Sequence, residues 1–110
     1  KRGFHKTVEH HVKRAQRRVP GFDDLPEYLR AEFTQSEYRG DLGGSPTSMR
    51  LFNKGKYFEA ADEFLRHAEY KNPDTSPGIK ARIKATSDAM REYGREKASE
   101  RVRQTTGAKL

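Results

Sequence analysis

Apolar positions along this chain repeat with a helical period. Val8, His11, Val12, Ala15 and Val19 fall at i, i+3, i+4, i+7 and i+11, one stripe of a helix that Pro20 ends. Asp23 or Asp24 is placed to cap a second helix with Pro26 in its first turn, and Leu25, Tyr28, Leu29 and Phe33 make its apolar face. Arg39 to Gly44 is glycine-rich and reads as a loop. Ser45-Pro46 is an N-cap serine followed by a proline at the first helical position. The third helix it opens carries Met49 and Phe52 and stops at Gly55, which suits a left-handed residue just past a helix end. A fourth follows at once, with Tyr57, Ala61, Phe64, Leu65 and Ala68 on one side. Ser76-Pro77 repeats the cap-and-proline start, and Ile79, Ile83, Thr86, Met90 and Tyr93 give the fifth helix its stripe. After Gly94 the stripe fades to Ala98 and Val102, so Arg95 to Leu110 reads as an exposed helix or a loose basic tail. No segment sustains two-residue alternation. The pattern therefore predicts an all-α chain, a small bundle of about five helices with short connections.

Length and charge narrow the picture. The chain has 110 residues, enough for one domain of the usual ~100–150 or a piece of one. Only 32% of residues are hydrophobic against 35% charged, so the core must be thin. No apolar run approaches the ~20 residues that cross a bilayer, and no membrane partner is expected. There is no cysteine, which removes thiol nucleophiles and cysteine-based zinc sites. Twenty-three Lys and Arg against 16 Asp and Glu leave a net charge of +7, a balance that favours polyanionic partners. The first residue is Lys1 rather than Met, which suggests a processed product or the ordered part of something longer.

One block carries a family likeness. Leu51-Phe52-Asn53-Lys54-Gly55 followed by Phe58-Glu59-Ala60-Ala61-Asp62-Glu63-Phe64 resembles the helical C-terminal lobe of the phage-type lysozymes. In these muramidases a short helix ends in Leu-Asn-x-Gly and the next carries Glu-Ala-Ala-x-Glu-Phe. Gly78-Ile79-Lys80-Ala81-Arg82 looks like the family's Gly-Leu-x-x-Arg helix start, and Phe22-Asp23-Asp24-Leu25-Pro26 looks like the lead into its central buried helix. The likeness covers about Val8 to Tyr93, with four motifs in the family's order. It implies a lysozyme-like C-terminal lobe with its interlobe helix over residues 1–94, and a basic appendage over 95–110. It also implies an activity: hydrolysis of the bond between N-acetylmuramic acid and N-acetylglucosamine in peptidoglycan. The competing structural reading is any small helical bundle with a glycine-punctuated helical hairpin.

In the family, the catalytic carboxyls lie in the other, β-containing lobe, which precedes the interlobe helix. By the resemblance that lobe would lie upstream of Lys1, on another chain, or nowhere. Glu32, Asp41 and Thr47 do reproduce the family's spacing of Glu, eight residues, Asp, five residues, Thr. Their context differs, because the family follows its Thr with a glycine-rich hairpin, whereas Thr47 leads into a helix that already matches the other lobe. No catalytic residue is assigned within this chain, and whether it is an enzyme by itself stays open.

Three residues are candidate substrate contacts by the resemblance. Tyr38 would pack at a cleft wall, Arg39 would hydrogen-bond sugar hydroxyls or the lactyl carboxylate, and Tyr70 would stack on a sugar ring. The plain alternatives are a solvated loop-edge arginine and an aromatic closing the bundle. Arg39 stands where the family has an amide. His5, His10 and His11 lack the i, i+4 spacing of helical metal ligands, so no metal and no cofactor are expected. Arg39-Gly40-Asp41 spells an adhesion tripeptide, with turning the chain as its simpler role. Two basic runs, Lys13-Arg14-Arg17-Arg18 and Arg95-Lys97-Arg101-Arg103, form stripes able to meet phosphates, but no DNA-reading motif accompanies them.

The expected function is thus the C-terminal lobe of a peptidoglycan-degrading muramidase, carried in a phage virion as a tail-associated protein or acting at the host cell wall or periplasm. Its expected partners are peptidoglycan and an upstream catalytic lobe or other virion proteins. One alternative is a non-enzymatic virion module that keeps the lobe; a second is a small basic nucleic-acid-binding protein, with nucleic acid the less favoured partner.

Overall fold

The structure, a computed structural model, describes the backbone of residues 2–109 and the side chains of residues 10–67 and 70–102. His5, Val8, Ala68 and Arg103, which the sequence patterns included, have side chains outside that set. The described chain is all-α. Its elements are α1 (Arg2–Arg18), a 3-10 turn (Phe22–Asp24), α2 (Glu27–Arg39), α3 (Pro46–Asn53), α4 (Tyr57–Phe64), α5 (Ala68–Lys71) and α6 (Pro77–Lys109). Helix α2 packs between α1 and α6, α4 packs between α3 and α6, and α5 rests on α6.

The core is one cluster drawn from every layer. Leu29 and Phe33 of α2, Phe64 of α4, Ile83 and Met90 of α6 and Leu42 of the loop after α2 are all fully buried. An aromatic group closes one end of it. Phe52 sits 5.2 Å from Phe33 and 5.0 Å from Tyr57, both edge-on, and Tyr57 meets Tyr93 edge-on at 5.0 Å. Such edge-to-face pairs each add about 0.5–1.5 kcal/mol beyond burial. Helix α4 is gripped from both sides at its smallest residues. Ser48 of α3 donates to the Ala60 carbonyl at 2.7 Å, and Ser87 of α6 donates to the Ala61 carbonyl at 2.8 Å. Ala60 and Ala61 have no exposed surface, so a larger residue at either position would push a neighbouring helix away.

The turns follow from backbone chemistry. Among the described residues Gly40 and Gly55 are the two at positive φ, both +85°, and they end α2 and the α3 hairpin turn. Gly55 lets Lys56 donate back to the Leu51 carbonyl at 2.9 Å, which folds α4 onto α3 without a loop. Ser76 caps α6 as the sequence suggests, its hydroxyl accepting from the Ile79 N–H at 3.4 Å.

Three expectations need correction. Neither Asp23 nor Asp24 caps α2; Pro26 occupies the N-cap, and Asp23 instead accepts from the Gln16 amide at 2.9 Å. Tyr28 is not on the buried face: it is 40% exposed, and its hydroxyl donates to Glu96 at 3.0 Å. The fourth helix stops at Phe64 rather than running to Ala68, and a separate short helix, α5, follows. Of the two forms left open for the segment after Gly94, the structure takes the helical one, as a continuation of α6. A Cβ at Gly94 would lie 3.1 Å from Tyr57 Cβ and 3.2 Å from Phe58 Cζ, so this glycine serves close approach of α4 to α6. The helix runs on through the basic segment, supported by i, i+3 pairs such as Arg95–Glu92 at 3.1 Å and Lys97–Glu100 at 3.9 Å.

Candidate functional site

The loop between α2 and α3, residues 40–45, gathers most of the candidate residues. It is held rigidly. Gly40 turns the chain, Asp41 N–H donates to the Ser36 carbonyl at 2.9 Å, Leu42 is fully buried as an anchor, and Gly44 N–H donates to the Gly40 carbonyl at 3.1 Å.

At the near end of the loop, Arg39 Nε donates to Asp41 Oδ2 at 3.1 Å. The Asp41 side chain is 3% exposed and that of Arg39 is 17% exposed, so this pair is inside the protein rather than on a rim. Arg39 Nη2 is buried with no partner among the described residues. Glu32, about two turns earlier on α2, is half-buried. Desolvation raises its carboxyl above the ordinary value, with Arg39 and the Thr86 hydroxyl pulling the other way. Arg39 thus pairs with Asp41 and reaches Glu32 only through its charge. Thr47 does not join them: it is exposed on the first turn of α3, where its hydroxyl accepts from Arg50 Nη2 at 3.2 Å. Of the family-spaced triple, Asp41 pairs with Arg39, Glu32 feels the charge of the same arginine, and Thr47 bonds elsewhere, to Arg50.

At the far end, the loop opens a shallow polar pocket of about 140 Å³, lined among others by Ser45, Thr47, Ser48, Glu63, Arg66 and His67. It lies at the N-terminus of α3. Pro46 has no N–H, and the first-turn amides of Thr47 and Ser48 have no carbonyl one turn back to bond. Ser45 holds the N-cap position, yet its hydroxyl makes no cap bond and is buried without a partner among the described residues. A Cβ on Gly44 would lie 2.7 Å from His67 Nε2, so the glycine lets the imidazole lie against the loop backbone. Arg66 and Glu63 face each other at 3.8 Å on the rim. The arrangement offers backbone donors, a hydroxyl, a guanidinium, an imidazole and a carboxylate to a polar ligand.

Tyr38 lies beside the near end. It is 67% exposed and packs edge-on against His11, ring centroids 4.9 Å apart. His11 is half-buried on the α1 stripe, and His10 is exposed, as the stripe predicts. Tyr70 is half-buried and packed against the core cluster, so the structure does not bring it into the loop 40–45 site. No group of three metal-ligating side chains forms among the described residues.

Glu37 was not legible from the sequence. It is 2% exposed and takes both Arg18 Nε at 2.5 Å and Arg14 Nε at 3.2 Å, which fastens α1 to α2 directly beneath Tyr38 in sequence. Half of the first basic run is therefore committed to an internal carboxylate, leaving Lys13 and Arg17 exposed. His67 and Thr86 were also missed, because both act through partners distant in sequence.

No family model, curated protein or solved structure matches the chain. The class that can be stated is therefore a small all-α bundle with a rigid polar loop and an adjoining pocket.

Proposed function

We propose that this bundle is the helical lobe of a phage-type muramidase, and that the loop 40–45 forms one wall of its peptidoglycan cleft. The observation that carries the proposal is the pocket at the α3 N-terminus, where first-turn amides, the Ser45 hydroxyl, Arg66 and His67 converge on one polar space. Sugar hydroxyls and the carboxylates of a lactyl group or stem peptide fit such donors. Glu63, within the block that resembles the family, lines one side of this pocket, and Ser45 to Ser48 at the start of α3 line the other. Tyr38, 67% exposed beside Arg39, would extend the wall. A net charge of +7 favours approach to an anionic wall.

The general acid of such an enzyme would come from outside these 110 residues. A glycosidase needs two carboxyls flanking the scissile bond, and Asp41 is turned inward onto Arg39. The same inward pairing favours a binding role for this chain, in keeping with a virion module that engages the wall without cleaving it. The test is co-sedimentation with purified peptidoglycan sacculi, together with a turnover assay, on the chain and on Arg66→Gln, Thr47→Val and Glu32→Gln. Binding weakened in the first two variants, with no turnover, is the expected result. Absence of binding to sacculi contradicts the proposal. Turnover abolished by Glu32→Gln would make the chain a complete enzyme.

A further inference from the structure

A second pocket shares no lining residue with the loop 40–45 site. It lies where α4 begins and α6 passes it, and it encloses about 250 Å³. That is smaller than the ~300–1,000 Å³ of drug-sized sites and suits a single planar group. Its chemistry is an aromatic ring among cations. Phe58 is seated against Gly94 and is nonetheless 46% exposed, while its neighbours Ala60, Ala61 and Phe64 are fully buried. Lys56, Lys97 and Arg101 line the same space, against one carboxylate, Glu59. Lys97 Nζ also lies 5.4 Å over the Tyr93 ring. The first turn of α4 points its amides here, and Lys56, at the N-cap, supplies no side-chain acceptor for them.

We propose that this pocket binds a nucleobase together with its phosphate, as presented by single-stranded nucleic acid. An exposed aromatic with flanking cations is the recurring platform for such strands, the ring stacking with a base and the cations meeting the backbone. A polyanion without rings would use the cations and gain nothing from Phe58. An uncharged ring would use Phe58 and gain little from three cations. A strand uses both. The site is separate from the wall-binding loop and does not depend on it.

The test is fluorescence anisotropy of a labelled oligothymidylate titrated with the 110-residue chain at several salt concentrations. Phe58→Leu should weaken binding by about fivefold or more, with the salt dependence unchanged. Phe58→Tyr, which keeps the ring, should bind like the parent. Lys97→Gln with Arg101→Gln should weaken binding and flatten the log–log salt slope by about 1.4, two single-strand phosphate contacts at ~0.7 each. Lys13→Gln with Arg17→Gln on α1 should leave affinity within about twofold, the small residue of long-range charge. Thermal melts confirm that each variant is folded; if Phe58→Leu is not, the comparison of the two double variants decides. Competition separates the sources of the ligand. Displacement by adenosine monophosphate but not by inorganic phosphate at matched ionic strength assigns the site to one nucleotide, and displacement by neither assigns it to the strand. Equal displacement by both, absence of oligonucleotide binding, equal losses in the two double variants, or full affinity in a folded Phe58→Leu protein would overturn the proposal.

Discussion

The two halves of α6 are one helix built in two ways. Residues 77–94 bury Ile83, Thr86, Ser87, Met90 and Tyr93 against α2 and α4. Beyond Gly94 the described side chains are charged or small, and Val102, the one large apolar residue among them, is 65% exposed. The first half is helical because its stripe has a partner. The second is helical because helix-forming residues and i, i+3 ion pairs extend an existing nucleus, which removes the cost of starting a helix. Continuity of a helix is therefore no guide to continuity of a core, and function can differ along a single element.

That contrast can be broken at several places. The largest effect belongs to the packed half: Met90→Ala should cost about 2–5 kcal/mol in urea unfolding, the range for emptying a fully buried site. Gly94→Ala comes next. Alanine in a helix is ordinarily favoured over glycine by about 1 kcal/mol, but here the methyl meets Tyr57 and Phe58, and a net destabilisation of about 1–3 kcal/mol is expected. A stabilising Gly94→Ala would mean that α4 and α6 are not in close contact at that point. Ser87→Ala, which removes the bond to the Ala61 carbonyl, should cost about 1 kcal/mol. Val102→Ala in the projecting half should shift stability by less than about 0.5 kcal/mol.

A pH experiment sharpens the same contrast through Glu32, whose side chain contacts Thr86 of the packed half. Burial raises its carboxyl above the ordinary 4.5, so the native state holds that proton more tightly than the unfolded chain does. The stability this contributes is present below 4.5 and is lost as pH rises through the raised value. Glu32→Gln cannot ionise. Its melting temperature, measured relative to the parent, should rise as pH climbs from below that value to neutrality. A flat difference would mean that Glu32 is hydrated.

Most of the fold was legible because it rests on local rules. The stripes in α2, α3, α4 and the first half of α6, the proline starts at Pro46 and Pro77, and the left-handed Gly55 are all readable within a few residues. The errors occurred where a distant neighbour decides. Asp23 looks like a helix cap until it accepts from Gln16, and Tyr28 looks like core until Glu96 accepts its hydroxyl. The candidate site was half legible. Tyr38 and Arg39 came from the resemblance, but nothing in the sequence signals that Arg39 turns inward to Asp41 or that His67 lies against Gly44. Lys13, Arg14, Arg17 and Arg18 look alike in sequence; only the buried carboxylate of Glu37 separates the paired Arg14 and Arg18 from Lys13 and Arg17.

The proposed peptidoglycan wall is tested most directly by titrating the isotopically labelled chain with a soluble muropeptide and mapping amide shift changes along the backbone. Binding at the loop predicts changes concentrated at Tyr38 to Ser48 and at Glu63 to His67, with the segment 95–102 unmoved. No changes at saturating muropeptide, or changes confined to α6 beyond Gly94, would contradict it.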